Sequence, residues 1–345
     1  VRAAIGAGEV RRVVVARVAR VGDTLHVRPA LDLLAAALPG ARVTFLASEY
    51  ALAAARGAAA AEVVVWPKGR SPWAALARAR TARALLAAGA VDLWLGLEDK
   101  PWGRRLAARL GARFFHADST AGAHVVERKA GVLAPLGLWD GATPPPPVRW
   151  TPQPGARDRA RERLAALPRP VVGLQVGSHA MLGLFAPRRR RDPQPAWVAE
   201  VGHALRGALG AGVVVHGGAG GAERRAARDA HARLTARGVP ALLVEGLDLE
   251  GLGGVLGALD AYVSANTGPA HLAAACGTPV VLLEGPSTSA ARPWRADKVD
   301  VINLGLPCSP CRGSAHGRAC ALPRCLDDVP PARVVAAVRG MLSGP

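Results

Sequence analysis

Four groups of residues in this sequence could carry chemistry. The first is Asn266-Thr267-Gly268-Pro269. It lies inside the stretch 259–286, which reads as strand, glycine turn, helix, strand. Asn and Thr are good residues to start a helix, and proline fits the first helical turn, where a missing N–H costs nothing. Gly277 stands where the helix should end. The free N–H groups of Thr267, Gly268 and the first turn would point at an anion, and the macrodipole adds roughly half a positive charge there. Gly268 would let a phosphate approach the backbone. The second group is Gly22-Asp23, a glycine turn with one carboxylate, shortly after the buried-strand run Val13-Val14-Val15. The third is the basic run 188–191. The fourth is Cys308, Cys311, Cys320 and Cys325, spaced C-x₂-C-x₈-C-x₄-C. Each has a plain structural alternative. The first is an ordinary strand–turn–helix, Asp23 caps a helix starting near Leu25, the arginines form a solvated surface, and the thiols stay reduced.

The elements that must hold these residues alternate between strand and helix. In the first half, strands are expected at 13–15, 42–46, 62–66 and 91–95, with helices at 26–38, 51–61, 73–88 and 124–136. A proline-rich stretch, 141–155, reads as a stiff linker. In the second half, strands are expected at 171–176, 213–216, 241–244, 262–263, 279–283 and 299–304. Helices fall at 157–166, 197–209, 222–237, 252–259, 270–276 and 328–342. This alternation means α/β domains with doubly wound parallel sheets, Rossmann-like in both halves. The expected division is 1–150, 151–327 and a terminal helix 328–345. A ligand is expected between two such domains, at the C-terminal ends of the strands.

Composition narrows the partners. Half of the 345 residues are hydrophobic, and the net charge is +18. Nearly all the cations are arginine, which together with abundant alanine suggests GC-rich codon usage. Codon usage explains arginine in place of lysine but not the excess of bases over acids. That excess favours anionic partners. No apolar run approaches the roughly 20 residues that span a bilayer, and 1–8 has no signal-peptide character. A cytosolic protein with at most peripheral membrane contact is expected. There, the cysteine spacing argues for a structural zinc over disulfides. Cys276, inside a helix, reads as a small core residue.

Four segments in order then resemble one family. They are RVARVGDTLHVRPA at 17–30, NTGPAHLAAA at 266–275, Cys308-Ser309-Pro310-Cys311 with Cys320 and Cys325 behind it, and His124-Val125-Val126-Glu127-Arg128 running on to Leu136-Gly137-Leu138. Together, over 11–338, they resemble glycosyltransferase family 9, the heptosyltransferases of lipopolysaccharide core assembly and their relatives. The resemblance implies a GT-B fold, with the acceptor on the first domain and the nucleotide-sugar on the second. The terminal helix would cross back to the first domain. It also implies inverting, metal-independent transfer from an ADP-sugar, typically ADP-heptose, to an anionic lipid-linked oligosaccharide, with no cofactor. The enzyme would work at the cytoplasmic face of the inner membrane, on an anionic surface, with no nucleic acid partner.

By the same resemblance Asp23 is the general base. Asn266, Thr267, Gly268 and His271 hold the donor, with His271 as a core histidine the alternative. Ser178 and Arg190 meet phosphate. Glu223 holds the ribose or base, unless it is a plain first-turn acid. His124 and Arg128 are matched to the acceptor side, and Lys68 and Arg70, just after a strand, could bind acidic sugars or phosphates. Two positions depart from the pattern. Asn266 stands where many relatives carry an acid, and Asp192-Pro193 follows the basic run where a Trp-Pro is common. Three rival readings follow: another GT-B sugar-nucleotide enzyme such as an epimerase, a member that has lost catalysis, or a basic nucleic-acid binder with a cysteine metal loop. Against the last, no basic helix adjoins the cysteines and no aromatic stacking platform is apparent.

Overall fold

The computed structural model describes residues 2–6, 8–59, 61–98, 100–116, 123–177, 192–218, 220–294, 298–311, 314–320 and 322–343. Two units, Val1–Val148 and Arg149–Pro345, each surround one parallel sheet.

The first unit has strands β1 (Arg12–Ala16), β2 (Arg42–Ala47), β3 (Glu62–Val65), β4 (Leu93–Gly96) and β5 (Arg113–His116), in the order β3-β2-β1-β4-β5. All pairings are parallel. Its main helices are α1 (Val21–Leu25), α2 (Arg28–Ala37), α3 (Pro72–Ala87), α4 (Pro101–Arg109) and α5 (Val125–Ala130). Side chains alternate across a strand, and β1 shows the result. Val13 and Val15 pack with Leu31, Leu34 and Phe45 on one face, while Val14 and Ala16 pack with Leu46, Trp94 and Leu106 on the other. A sheet buried on both faces explains why its strands read as continuous apolar runs.

Four local expectations change. The helix expected at 26–38 is α2 alone, and α1 occupies 21–25, where a glycine turn is expected. The one foreseen at 51–61 is a 3₁₀ turn, Glu49–Ala51, and a single turn, Leu52–Ala55; Gly57, at φ +67°, stops it. The one foreseen at 124–136 ends at Ala130 and is followed by a 3₁₀ turn, Ala134–Leu136, closed by Gly137 in the left-handed region. Proline at 135 cannot continue an α-helix. Finally, α4 and β5 are not expected from the sequence; β5 has only two apolar residues, Phe114 and Phe115, between Arg113 and His116.

The second unit has strands β6 (Val171–Val176), β7 (Gly212–Gly217), β8 (Ala241–Val244), β9 (Ala261–Ala265), β10 (Val280–Glu284) and β11 (Val299–Asn303), in the order β11-β10-β9-β6-β7-β8. All are parallel. Its main helices are α6 (Ala156–Leu164), α7 (Pro195–Leu209), α8 (Gly221–Ala236), α9 (Leu249–Leu256), α10 (Gly268–Ala275) and α11 (Pro331–Leu342). Val172, Leu174, Val213, Val215, Val263 and Leu283 share one core with α7 and α11. The alternate positions of β6, β7 and β9 are buried too, but they carry Gln175, His216, Tyr262 and Ser264.

Val334, Val335 and Val338 of α11 lie in the second unit's core, so its apolar face is used there. The proline-rich stretch differs from a linker running to residue 155. The Trp150 N–H donates to Ala275 O at 3.0 Å, and the Gln153 N–H donates to Glu250 Oε2 at 2.8 Å. The indole is buried and faces Gly253, where a Cβ would come within 2.8 Å of Trp150 Cη2.

Candidate functional site

In a parallel sheet of this kind the strand order reverses once, and the loops leaving the two central strands diverge to form a crevice. In the first unit the reversal lies between β1 and β4. Arg17 follows β1, and its guanidinium bridges Asp23 Oδ1 at 3.1 Å and Glu98 Oε2 at 3.4 Å. Glu98 follows β4 and also accepts the Val18 N–H at 3.1 Å. The Asp23 side chain is 40% exposed against 14% for Glu98. The more open carboxylate is thus held from behind by an arginine, in a charge-assisted bond.

Asp23 is not the cap of a following helix. It is the third residue of α1, whose N-cap is Arg20, and Gly22 is helical and buried rather than a turn glycine. Lys129 of α5 is buried and donates its Nζ to Asp23 O at 3.2 Å. Burial pulls this ammonium down to about 7; Arg17 and Arg128 push the same way, and Asp23 opposes them.

The acceptor-side residues fall on or near the same edge. His124 is the N-cap of α5: its Nδ1 accepts the Val126 N–H at 3.2 Å, and its own N–H donates to Glu127 Oε2 at 2.8 Å. Its ring meets His26 edge-on at 5.7 Å. His124 is therefore occupied in local structure. Arg128 is half-buried, while Lys68 and Arg70 are exposed beyond the end of β3. The Lys68 N–H donates to the Glu49 carboxylate at 2.9 Å. The structure joins Asp23 to Arg17, Glu98 and Lys129. It puts Lys68 and Arg70 at the far side of the same sheet edge.

In the second unit the reversal lies between β6 and β9. Ser178, Arg190 and the rest of 178–191 lie outside the described residues. On the β9 side, Thr267 is the N-cap of α10 but makes no side-chain cap bond. Its hydroxyl instead donates to Gln175 Oε1 at 2.6 Å. Ser264 Oγ donates to the same oxygen, and Gln175 Nε2 donates to Gly177 O at 2.8 Å. One buried amide thus ties the ends of both central strands together. The first N–H groups of a helix lack i−4 partners within it; here Pro269 has none to offer and Ala270 donates to Thr267 O at 3.1 Å, so with Thr267 turned toward Gln175 it is the Gly268 N–H that can meet an anion. Gly268 opens this helix, and Gly277, at φ +85°, follows its end.

His271 is buried on α10, and its Nε2 donates to Asn266 Oδ1 at 3.1 Å. Asn266 therefore orients the imidazole without carrying charge. Glu223, the third residue of α8, is buried and accepts the Gly220 N–H at 2.9 Å. A Cβ at Gly218 would lie 2.6 Å from the Glu223 carboxyl carbon, so a side chain there would displace the carboxylate. Next to this loop, His216 Nδ1 lies 3.1 Å from the Tyr262 hydroxyl. Burial lowers the imidazole to about 4 and raises the phenol above its ordinary range.

Five residues of these networks escape sequence reasoning: Arg17, Glu98, Lys129, Gln175 and Ser264. Two left a signal, because glutamine and serine are conspicuous inside strands as apolar as β6 and β9. Lys129 left another, as one of only four lysines against a background of arginine.

The four cysteines form no disulfide with one another. All are free thiols. Among the described residues no group of three or more His, Cys, Asp or Glu is arranged to hold a metal ion. Cys325 is turned into the core against Gly285, where a Cβ would meet Cys325 Cβ at 2.7 Å. Burial, with the other three thiols adding, pushes its thiol up to about 12. Among the described residues no helix is long and apolar enough to cross a membrane. A cavity of about 350 Å³ lies at the opposite edge of the first sheet, where Arg12, Arg42 and Glu62 begin their strands beneath α3.

Two Rossmann-like parallel sheets, each with its polar network at the strand-order reversal, define the GT-B architecture of nucleotide-sugar glycosyltransferases. The model of glycosyltransferase family 9 (heptosyltransferase) matches residues 102–320, and the chain belongs to that family. Its fold resembles a family 9 glycosyl transferase from Veillonella parvula DSM 2008, with a TM-score of 0.79 at 19% identity over 96% of this chain and 97% of that one. It also resembles the E. coli ADP-heptose LPS heptosyltransferase II, with a TM-score of 0.71 at 18% identity over 96% and 98%. E. coli heptosyltransferase WaaC, solved with ADP, gives 0.63 at 18% identity over 96% and 99%. No curated protein matches the sequence.

Proposed function

We propose that this glycosyltransferase moves a sugar, a heptose carried on ADP, onto a lipid-linked oligosaccharide of the lipopolysaccharide-core type, with inversion and without a metal cofactor. The acceptor hydroxyl loses its proton to the Asp23 carboxylate as its oxygen bonds to the anomeric carbon. The bond from that carbon to the donor's phosphate oxygen breaks, and ADP leaves. The start of α10 meets the charge that develops on the diphosphate, which is where preorganised N–H dipoles contribute most. His271, oriented by Asn266, lines the same helix end. Ser178 and Arg190 are assigned to the phosphates, Glu223 to the nucleoside, and Lys68, Arg70, His124 and Arg128 to the anionic acceptor. The reaction takes place at the cytoplasmic face of the inner membrane, without nucleic acid.

One observation carries the assignment. Asp23 is the exposed carboxylate of an arginine-bridged pair at the strand-order reversal of the first sheet. The test is Asp23→Asn, which keeps the size and an oxygen for Arg17 but cannot take up the proton. Turnover should fall by about 10²–10⁴-fold, with melting temperature and ADP affinity unchanged. Near-wild-type turnover would remove Asp23 as the base. Calorimetry with ADP, UDP and GDP tests the donor, and a preference for UDP or GDP would overturn the ADP assignment.

A further inference from the structure

α3 differs from every other long helix of the first unit, because it packs so little of itself. Of its sixteen residues only Leu85 is buried. At its start Trp73 is 80% exposed and Leu76 43% exposed, and Tyr50 nearby is 65% exposed. Tyr50 follows Glu49, whose carboxylate accepts the Lys68 N–H in the loop that leads to α3. Isolated exposed apolar side chains are ordinary, but Trp73 and Leu76 stand one turn apart on one helix, with Tyr50 in the loop tied to its entry.

Basic residues dominate the chain that forms this corner, and the Glu49 carboxylate there is held on the Lys68 N–H. The stretch 63–91 contains Lys68, Arg70, Arg78, Arg80 and Arg83 and no Asp or Glu. At 3.6 residues per turn, Trp73, Leu76, Arg80 and Arg83 lie on one side of α3. The corner is also preformed. Ser71 Oγ caps the helix by accepting the Ala74 N–H at 3.1 Å, and Arg78 braces the preceding loop by donating to Pro67 O and Gly69 O at 3.0 and 2.9 Å.

We propose that the outward face of α3, with Trp73, Leu76 and Tyr50 as apolar anchors and Lys68, Arg70, Arg80 and Arg83 as the basic rim, docks this protein on an anionic lipid bilayer surface. Tryptophan and tyrosine favour the level of the headgroups, where an apolar ring and a polar edge are both satisfied. Basic residues on the same face add attraction to anionic lipid. A second copy of the chain is a poor occupant, because it would set the same cations against each other. The inference deepens the functional reading above, since a lipid-linked acceptor is met at a membrane.

The test is sedimentation of the full chain with vesicles of phosphatidylglycerol and phosphatidylcholine in equal parts, and with phosphatidylcholine alone. Binding to the mixed vesicles, release by salt and little binding to the neutral ones are expected. Trp73→Ser with Leu76→Ser, both at exposed positions, should weaken binding about tenfold or more. Arg80→Gln with Arg83→Gln should weaken it and flatten its salt dependence. Melting temperature and ADP binding should not move. Unchanged vesicle binding in both double variants would overturn the proposal. So would equal binding to neutral vesicles, loss of self-association in the serine variant, or displacement of the vesicle-bound chain by a short DNA duplex. Transfer to a water-soluble, delipidated acceptor should survive the serine substitutions. If no transfer occurred at all while vesicle binding behaved as described, the catalytic reading would fall and the docking surface would stand.

Discussion

His216 should make the second unit acid-sensitive in a defined way. The imidazole is buried against Tyr262 at the end of β7, and burial holds it near 4 instead of its ordinary 6.5. Between those values the unfolded chain takes up a proton that the folded chain refuses. Stability therefore rises with pH across the window and is lost as pH falls through it; below about 4 both states are protonated and the slope ends. At about 1.4 kcal/mol per pH unit, the loss is ~3 kcal/mol, a large part of a typical domain's stability. His216→Gln keeps a polar group for the Tyr262 hydroxyl but does not titrate. Urea unfolding of both proteins, followed at a series of pH values through the window, gives two stability curves. Carboxylates contribute equally to both and cancel in the difference. The wild-type curve should steepen by ~3 kcal/mol relative to the variant. Parallel curves would show that His216 is not held neutral, and the packing argument for this face of the sheet would fail.

Three further outcomes are expected. Lys129→Met should lower turnover by about 10–10²-fold through loosening of the Asp23 turn, while ADP affinity holds. Because burial drops Lys129 from 10.5 to about 7, wild-type stability should rise with pH between those values, and the variant should lack that slope. Gly173→Ala puts a Cβ 2.5 Å from Leu259 Cδ1 and 2.7 Å from Tyr262 Cδ2, so the urea midpoint should drop by the equivalent of about 1–3 kcal/mol. Transfer should continue in EDTA; activity lost to chelator and restored by Mg²⁺ or Mn²⁺ would refute the metal-free mechanism.

The sheets were legible in the sequence because both are buried on two faces. β6 and β8 read as expected at 171–176 and 241–244, since short, mostly apolar runs that begin just after a proline leave little choice. Where a short element lacks an apolar run the signal fails, as at β5, with Arg113 and His116 at its ends, and at the two-residue break, His26 and Val27, between α1 and α2. Sites were legible by position but less so by bonding. Thr267 was readable as the residue before α10, but nothing local says that its hydroxyl binds Gln175, which lies ninety-two residues away. Arg128 was chosen on the acceptor helix, yet its neighbour Lys129 points inward to Asp23. One residue along a helix is a rotation of about 100°, and only packing decides which neighbour faces the site. Tyr262 can reach His216 because Gly173 leaves the intervening strand bare, a long-range condition that no window of sequence contains.

Trp150 decides where this chain can be divided. Its N–H meets the last carbonyl of α10, and Arg157 donates to the next, Cys276 O, at 3.2 Å. The C-terminal end of the helix that we assign to the donor phosphates is therefore closed by residues from the entry to the second unit. A fragment that starts at Gly155 would lose the indole over Gly253 and the bond to Ala275 O, keeping only the Arg157 contact. One that starts at Arg149 would keep both. The exposed stretch 141–144 is then the place for a protease nick, a circular permutation or an inserted tag. The same edit made a few residues later would loosen the far end of α10, and nucleotide binding would report the damage before folding did.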